Sequence, residues 1–522
     1  MKAIDSHYDA VIIGSGFGGS INALRLAEAG KSVLVLERGK QYQAGEFPRD
    51  VTDTEKLFWR YPKKKQSQGL YKLDFFSGIG VVTASGVGGG SLVYANIHIR
   101  PDPSVFEDQK WPVPINRQYL EPYYDKVASM LGISPVPAEF KMPKRDIYRD
   151  AAEKTGHHIF DPDQAVTWKA PGNPEFGVCK KVAECEFGCQ YGAKHTMDLT
   201  YLAKAQQLGA QVESGINITH ISKDEKGYRV HYIDLSNDQK GSVTGTKIVL
   251  SAGTLGTNKI LFESRDRVKT LPEISSKLGY GFSGNGDFLG SIQNSQHKLE
   301  PWNGPDVTSV IHYFDDKPGF TMAAPTFNQP VMAFLASLGQ GKGWLPEFLA
   351  ARIWRKLDSA LYWAFSKGFM SKPSRFPGPN AGDPERMTNL FAIGQDNANG
   401  RILLEGNDID IKWNYAKENK VLIKKMTEAM EEVAEVYGGT VSPLQSWHVF
   451  KRILTVHPLG GCNLSDTAET GVVSPQGEVH GYPGLFVADG SVIPTSIGFH
   501  PVMTISAVSE HIAEAVVNSY TN

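Results

Sequence analysis

Cysteine is scarce in this chain of 522 residues: there are four, and three of them crowd between Cys179 and Cys189. That excludes the disulfide framework of a small secreted scaffold and makes a reducing, cytoplasmic setting the expectation. Net charge is nearly absent too, at −2, which removes the electrostatic reason for a nucleic-acid partner. No run of about eighteen apolar residues occurs, so no membrane-spanning helix is expected. The first apolar run, YDAVIIG from Tyr8, flows straight into a glycine motif and reads as a structural strand, not as a secretory leader. Apolar residues at 41% and charged residues at 21% are ordinary for a globular protein, and the length exceeds one ordinary core, so two domains are expected.

Glycine is what the chain has in excess, 53 residues of 522 against a typical ~7%. The excess is clustered, which points to backbone that must turn tightly or approach a ligand. The first cluster lies in YDAVIIGSGFGGSINALRLAEAGKSVLVLERGK. Ala10–Ile13 reads as a buried strand, and Gly14, Gly16 and Gly19 follow as G-x-G-x-x-G. Ser20–Ala29 has helical spacing with Gly30 as its cap, and Ser32–Leu36 is a second strand ending in Glu37. This is a βαβ dinucleotide grip: Gly14 allows the turn, Gly16 admits the pyrophosphate, the helix N-terminus faces its charge, and Glu37 accepts ribose hydroxyls. The motif alone fits NAD or FAD.

A second cluster, Gly86, Gly88, Gly89 and Gly90 before Ser91, is flanked by apolar and β-branched residues, unlike a solvated linker. It reads as backbone packed against a flat or anionic ligand. Near the other end, Leu485–Ala488 is a short buried strand with Asp489-Gly490 at its carboxyl edge, where open α/β sheets bind ligands. Asp489 is expected to bind a sugar or ribityl hydroxyl. Pro501 opens a helix to about Val517, whose positive end favours an anionic reduced flavin.

These segments, with VLSAGTLGTNKIL, LGYGFSGNGDFLG and VHPLGGC, occur in one order and together resemble the glucose–methanol–choline (GMC) oxidoreductases, most of all their cholesterol oxidase branch with non-covalent FAD. The resemblance covers roughly a third of the chain. It implies a mixed α/β fold: a Rossmann-like FAD domain assembled from about 1–45, 195–290 and 450–522, and a substrate domain from about 46–194 and 291–449 with a mixed or antiparallel sheet covered by helices. It implies cofactor contacts at Gly14, Gly16, Phe17, Gly18, Gly19, Glu37, Arg38, Gly86, Gly88, Gly89, Gly90, Ser91, Tyr94, Asn96, Ile218, Ala252, Gly253, Asp489, Gly490, His500, Pro501 and Val502. Some relatives bond the flavin through a histidine in the glycine-cluster segment. Here Ser91, Leu92, Val93 and Tyr94 stand there, so non-covalent FAD is expected.

Oxidising an alcohol with a flavin requires a group that accepts the hydroxyl proton and a second that fixes the oxygen. His457 and His500 are each followed by proline, which pushes them toward extended backbone, and the resemblance places both at the flavin as the catalytic pair. Which is the base is open. His98, His195 and His480 are assigned to structure. The glutamate base of cholesterol oxidases does not align cleanly; Glu385 is the nearest candidate, with a solvated loop acid as the better reading. Cys179, Cys185 and Cys189 offer three thiolates at uncommon spacings, with Val182 where similar proteins carry a further cysteine, so no metal is expected. Cys462 belongs to the His457 loop.

Leu345, Leu349, Ile353, Leu357, Leu361, Phe365 and Phe369 repeat every four residues beside a basic face, which reads as a core helix or as an entry helix resting on a membrane surface. Together with the resemblance to the cholesterol oxidase branch, the entry-helix reading implies an apolar alcohol as substrate: a sterol, a terpenoid, or a long-chain or aromatic alcohol. Hydride goes to flavin N5 and electrons go on to O₂. The alternatives are a dehydrogenase with a quinone or protein acceptor, action on a C–C bond beside a ketone, and a flavoprotein that only binds; the paired His-Pro segments argue against the last.

Overall fold

β1 (His7–Ile13) enters a sheet interior: Ala10 to Ile13 are all buried. A strand covered on both faces needs a continuous apolar run, and AVII supplies it. α1 (Phe17–Glu28) crosses over to β2 (Val33–Glu37), which pairs with β1 in parallel. The structure is a computed structural model and describes residues 7–49, 53–60, 68–169, 176–337, 383–444, 447 and 451–521.

The seven-stranded sheet around β1 runs in the order Gln211–Ser214, β2, β1, Gln239–Leu250, Gly227–Asp234, Ile216–Asp224. Leu485–Val487 joins it in parallel on Gln239–Leu250. The first and last strands of that order are separated in sequence only by Gly215. Five inter-strand steps of ~4.8 Å cannot be bridged by one residue if the sheet is flat, so it curls, and Ile216–Asp224 packs against β2.

A second, six-stranded sheet is antiparallel throughout, in the order Thr440–Pro443, Phe288–Gln293, Thr388–Gly394, Phe320–Ala323, Val310–Tyr313, His158–Phe160. Helix Lys420–Val436 covers it with Leu422, Ile423, Met426, Ala429, Met430 and Val433, spaced to share one face. The fold is thus mixed α/β with several sheets.

Two connections position the site. Strands Ile79–Ala84 and Ile453–Thr455 pair in parallel, Ile79 with Ile453 and Val81 with Thr455. The second ends at Thr455, opposite Val81, and the first runs on to Ala84, so the His457 loop and the glycine cluster leave from neighbouring strands. Second, the two ends of the chain are clamped. The fully buried Glu510, on the C-terminal helix Val502–Asn518, accepts from Arg25 Nε at 2.8 Å and Nη2 at 2.7 Å, and from Tyr201 at 2.8 Å. A charge without water is held only when its partners are this complete.

Candidate active site

The first glycine motif divides into two kinds of position. At Gly14 (φ +95°) an added Cβ would lie 2.3 Å from the Ser251 carbonyl oxygen; at Gly18 it would lie 1.5 Å from that of Ala488, and at Gly19 1.9 Å from that of Gly14. Those glycines let protein pack on protein. Gly16, with φ −70°, is different: a Cβ there would meet only the Cα of Gly89, at 3.9 Å. It opens onto space at the N-terminus of α1, where no side chain caps the free N–H groups. Glu37 lies beside it at the end of β2, accepting from Ser15 N–H (3.1 Å), Ser15 Oγ (2.8 Å) and Gly39 N–H (2.8 Å). Arg38 donates to Ser85 Oγ at 2.9 Å, and Ile218 sits on the strand packed against β2.

The second cluster forms the facing wall. Gly88 donates its N–H to Ser15 Oγ at 3.1 Å, and a Cβ on Gly89 (φ +58°) would fall 2.6 Å from Gly16 Cα, so the two glycine loops touch. Gly86 packs against Gly39, and at Gly90 a Cβ would meet only the Phe17 ring edge, at 4.0 Å. Ser91 donates to the Gly88 carbonyl and accepts from Met197 N–H. Tyr94 stands edge-on to Phe17 (5.5 Å) and His98 (5.6 Å), with Lys194 Nζ 4.6 Å from its ring centre. Asn96 is held at φ +64° and fully buried, and neither atom of its amide has a partner.

Asp489 closes the third side. One carboxylate oxygen accepts from Gly253 N–H (2.9 Å) and Thr257 Oγ1 (2.5 Å), the other from Ser491 N–H (2.8 Å) and Oγ (2.5 Å). Burial pushes its pKa up. The carboxylate ties Ala252-Gly253, which open helix Gly253–Phe262, to the turn at Gly490.

His457 and His500 converge from opposite directions, one after strand Ile453–Thr455, the other before Pro501 and Val502 at the C-terminal helix. Their ring centres are 5.4 Å apart at 77°. Phe391, from the second sheet, stacks on His457 (5.5 Å) and meets His500 edge-on (6.2 Å). Their surroundings differ. His457 Nδ1 is 2.9 Å from Asp287 Oδ1. His500 is buried with Nδ1 unpartnered, and burial, then the nearby His457, push its pKa well below that of a free imidazole. Three residues that sequence reasoning did not single out hold this arrangement. Besides Asp287, Asn285 accepts from Ile497 N–H (2.8 Å) and Gly498 N–H (3.1 Å) and donates to the Phe499 carbonyl (2.8 Å). Asp396, its pKa pushed up to about 6 by burial, accepts from Ser283 Oγ, Gly284 N–H, Gly286 N–H and Ala398 N–H. The signal available was the GNGD turn, a dense polar turn between apolar runs.

These walls fit a flavin dinucleotide. Gly16 and Gly90 leave space that a side chain would fill, an uncapped helix N-terminus suits a pyrophosphate, and Asn96 and His500 present buried polar atoms without protein partners.

Other expectations resolve more simply. Glu385 is partly exposed and paired with Lys298 at 3.1 Å. His195 is structural, bonded to the Leu131 carbonyl and Thr167, and His480 bonds the Ser465 carbonyl. His98 is buried against Tyr94, without a side-chain hydrogen-bond partner, and lines a cavity of about 350 Å³ with Asp102, Asp163, His312 and Phe499. All four cysteines are free, and among the described residues no group of three or more His, Cys, Asp or Glu side chains is arranged to hold a metal. No described helix is long and apolar enough to cross a membrane, and the apolar repeat from Leu345 to Phe369 lies outside the described residues.

The N-terminal profile of GMC oxidoreductase matches residues 9–268 and its C-terminal profile residues 396–509. A cholesterol oxidase of Mycobacterium tuberculosis is 31% identical, over 97% of this chain and 90% of its own. A long-chain-alcohol oxidase of Arabidopsis thaliana is 24% identical, over 98% of this chain and 68% of its own. Among solved structures, a fungal aryl-alcohol oxidase superposes with a TM-score of 0.62 at 14% identity, covering 99% of this chain and 100% of that one.

Proposed function

The chain belongs to the GMC oxidoreductase family, FAD-dependent enzymes acting on the CH–OH group of alcohols, and we propose that it oxidises a hydrophobic alcohol, with His457 as the base. The observation that carries this is the histidine pair, with ring centres 5.4 Å apart and set in unlike surroundings. His457, in contact with a carboxylate, accepts the hydroxyl proton at Nε2. His500, kept neutral by burial, hydrogen-bonds the same oxygen and holds it as negative charge develops. When bound, FAD supplies the two-electron acceptor for the hydride of the carbinol carbon. It is held without a covalent bond, since Ser91 to Tyr94 offer no imidazole. Phe391 gives the pair an apolar wall, and relatives named for cholesterol and for long-chain alcohols favour a sterol, terpenoid, long-chain or aromatic substrate. O₂ is the favoured acceptor; a quinone or protein acceptor is the second reading.

The test is anaerobic mixing of the holoenzyme with sterols, terpenols, fatty and aromatic alcohols and cyclic ketones while flavin colour is followed. Bleaching by an apolar alcohol supports the reading; bleaching by glucose or choline alone refutes it. Recolouring in air at a catalytic rate marks an oxidase.

A further inference from the structure

We infer that Asp287 is a positioning residue for proton abstraction: its buried carboxylate holds His457 in the form protonated at Nδ1, leaving Nε2 as the ring's proton acceptor. This rests on the preceding reading of His457 as the base.

Asp287 is fully buried at the end of the GNGD turn, just before strand Phe288–Gln293. Its Oδ1 lies 2.9 Å from His457 Nδ1. Its Oδ2 accepts from Thr455 Oγ1 (2.9 Å), Val456 N–H (2.8 Å) and His457 N–H (3.2 Å). An ionised carboxylate only accepts, so the ring nitrogen facing it must carry the hydrogen. A neutral imidazole has one N–H, and Nε2 then keeps its lone pair. Because the same carboxylate grips the backbone of 455–457, ring orientation and loop position are set together.

Charge adds to orientation. Among the described residues His457 is the one cationisable group bonded to Asp287. The other titratable groups facing this pocket are Asp396, which holds Gly284 and Gly286 of the same turn, Tyr415, whose hydroxyl has no partner, and His500. None of these offsets the buried negative charge. The positive charge that His457 takes up with the hydroxyl proton does, with its Nδ1 at 2.9 Å from the carboxylate.

The test is Asp287→Asn in the FAD-loaded enzyme, using whichever alcohol reduces the wild type. The kcat for anaerobic flavin reduction should fall about 10²-fold with KM within about threefold, because the loss lies in proton abstraction rather than in binding. Asp287→Glu, which still presents a carboxylate to Nδ1, should recover part of the lost kcat; a merely structural role would not discriminate Asn from Glu in this way. Reduction within threefold of wild type in Asp287→Asn overturns the inference. A second measurement needs no Asp287 variant. In wild type labelled with nitrogen-15 in the histidine rings, the resonances lost in His457→Gln should show the proton on Nδ1 at neutral pH; a proton on Nε2 overturns the inference. Failure of the base reading is seen separately, as near-normal reduction in His457→Ala.

Discussion

Gly16→Ala separates cofactor binding from folding. The site has ordinary φ (−70°), and an added methyl meets only Gly89 Cα at 3.9 Å, so the substitution leaves the fold intact. Replacing a glycine where alanine is unstrained removes unfolded-state freedom and stabilises by about 0.4–1 kcal/mol. The flavin-free protein should therefore melt at or slightly above the wild-type temperature. The methyl projects into the space before the α1 N-terminus, where a pyrophosphate would approach. Losing one charge-assisted hydrogen bond there costs about 1.5–3 kcal/mol, which at ~1.4 kcal/mol per decade is a Kd for FAD weakened roughly 10- to 150-fold. The assay is titration of deflavinated protein with FAD, beside thermal melts by circular dichroism. Gly18→Ala is the contrast: its Cβ would sit 1.5 Å from the Ala488 carbonyl oxygen, so it should destabilise the flavin-free fold by about 3 kcal/mol or more. Unchanged FAD affinity in Gly16→Ala, or loss of its fold, refutes the division of the glycines into packing and ligand positions.

His457→Ala should slow anaerobic flavin reduction by about 10²–10⁴-fold, whereas His500→Asn should keep measurable activity because asparagine still presents hydrogen-bonding atoms; stopped-flow reduction checks both. Denaturing the holoenzyme and filtering it should send the yellow flavin through the membrane, and colour retained on the chain would contradict non-covalent binding. His98 provides a pH test. Burial pushes its pKa down to about 4, against ~6.5 for an unfolded histidine, so below pH 6.5 the unfolded chain binds the extra proton and stability is lost as pH falls toward 4. The shift corresponds to about 3 kcal/mol. Urea unfolding near neutral pH and near pH 4.5 should show His98→Gln losing less stability on acidification than wild type.

The dinucleotide half of this molecule was legible because its signals are local. The strand expected at Ala10–Ile13 is the buried part of β1, the helix over Ser20–Ala29 lies within one residue of α1 at its far end, and Leu485–Ala488 is one residue longer than the strand found. The histidine pair was legible through two His-Pro steps and the family pattern around them. What escaped is non-local. Asp287 meets His457 across 170 positions of sequence, and Asn285 meets Gly498 across 213, from a turn with no periodicity. Asp489 was picked out, but not its protein donors Thr257 and Ser491, because nothing in a D-G dipeptide says which donors will face it.

The clamp between Arg25 and Glu510, and the contact of Gly18 with Ala488, bear on how the protein is made. On the ribosome, Gly18 emerges long before the strand that closes over it. At ~5–20 residues per second the wait is roughly half a minute or more. Through that interval α1 lacks the C-terminal helix that packs against it, and an uncovered apolar face is a state chaperones shield. A stop codon shortly before Ala488 would therefore leave α1 without the backbone at Ala488 and the helix that cover it.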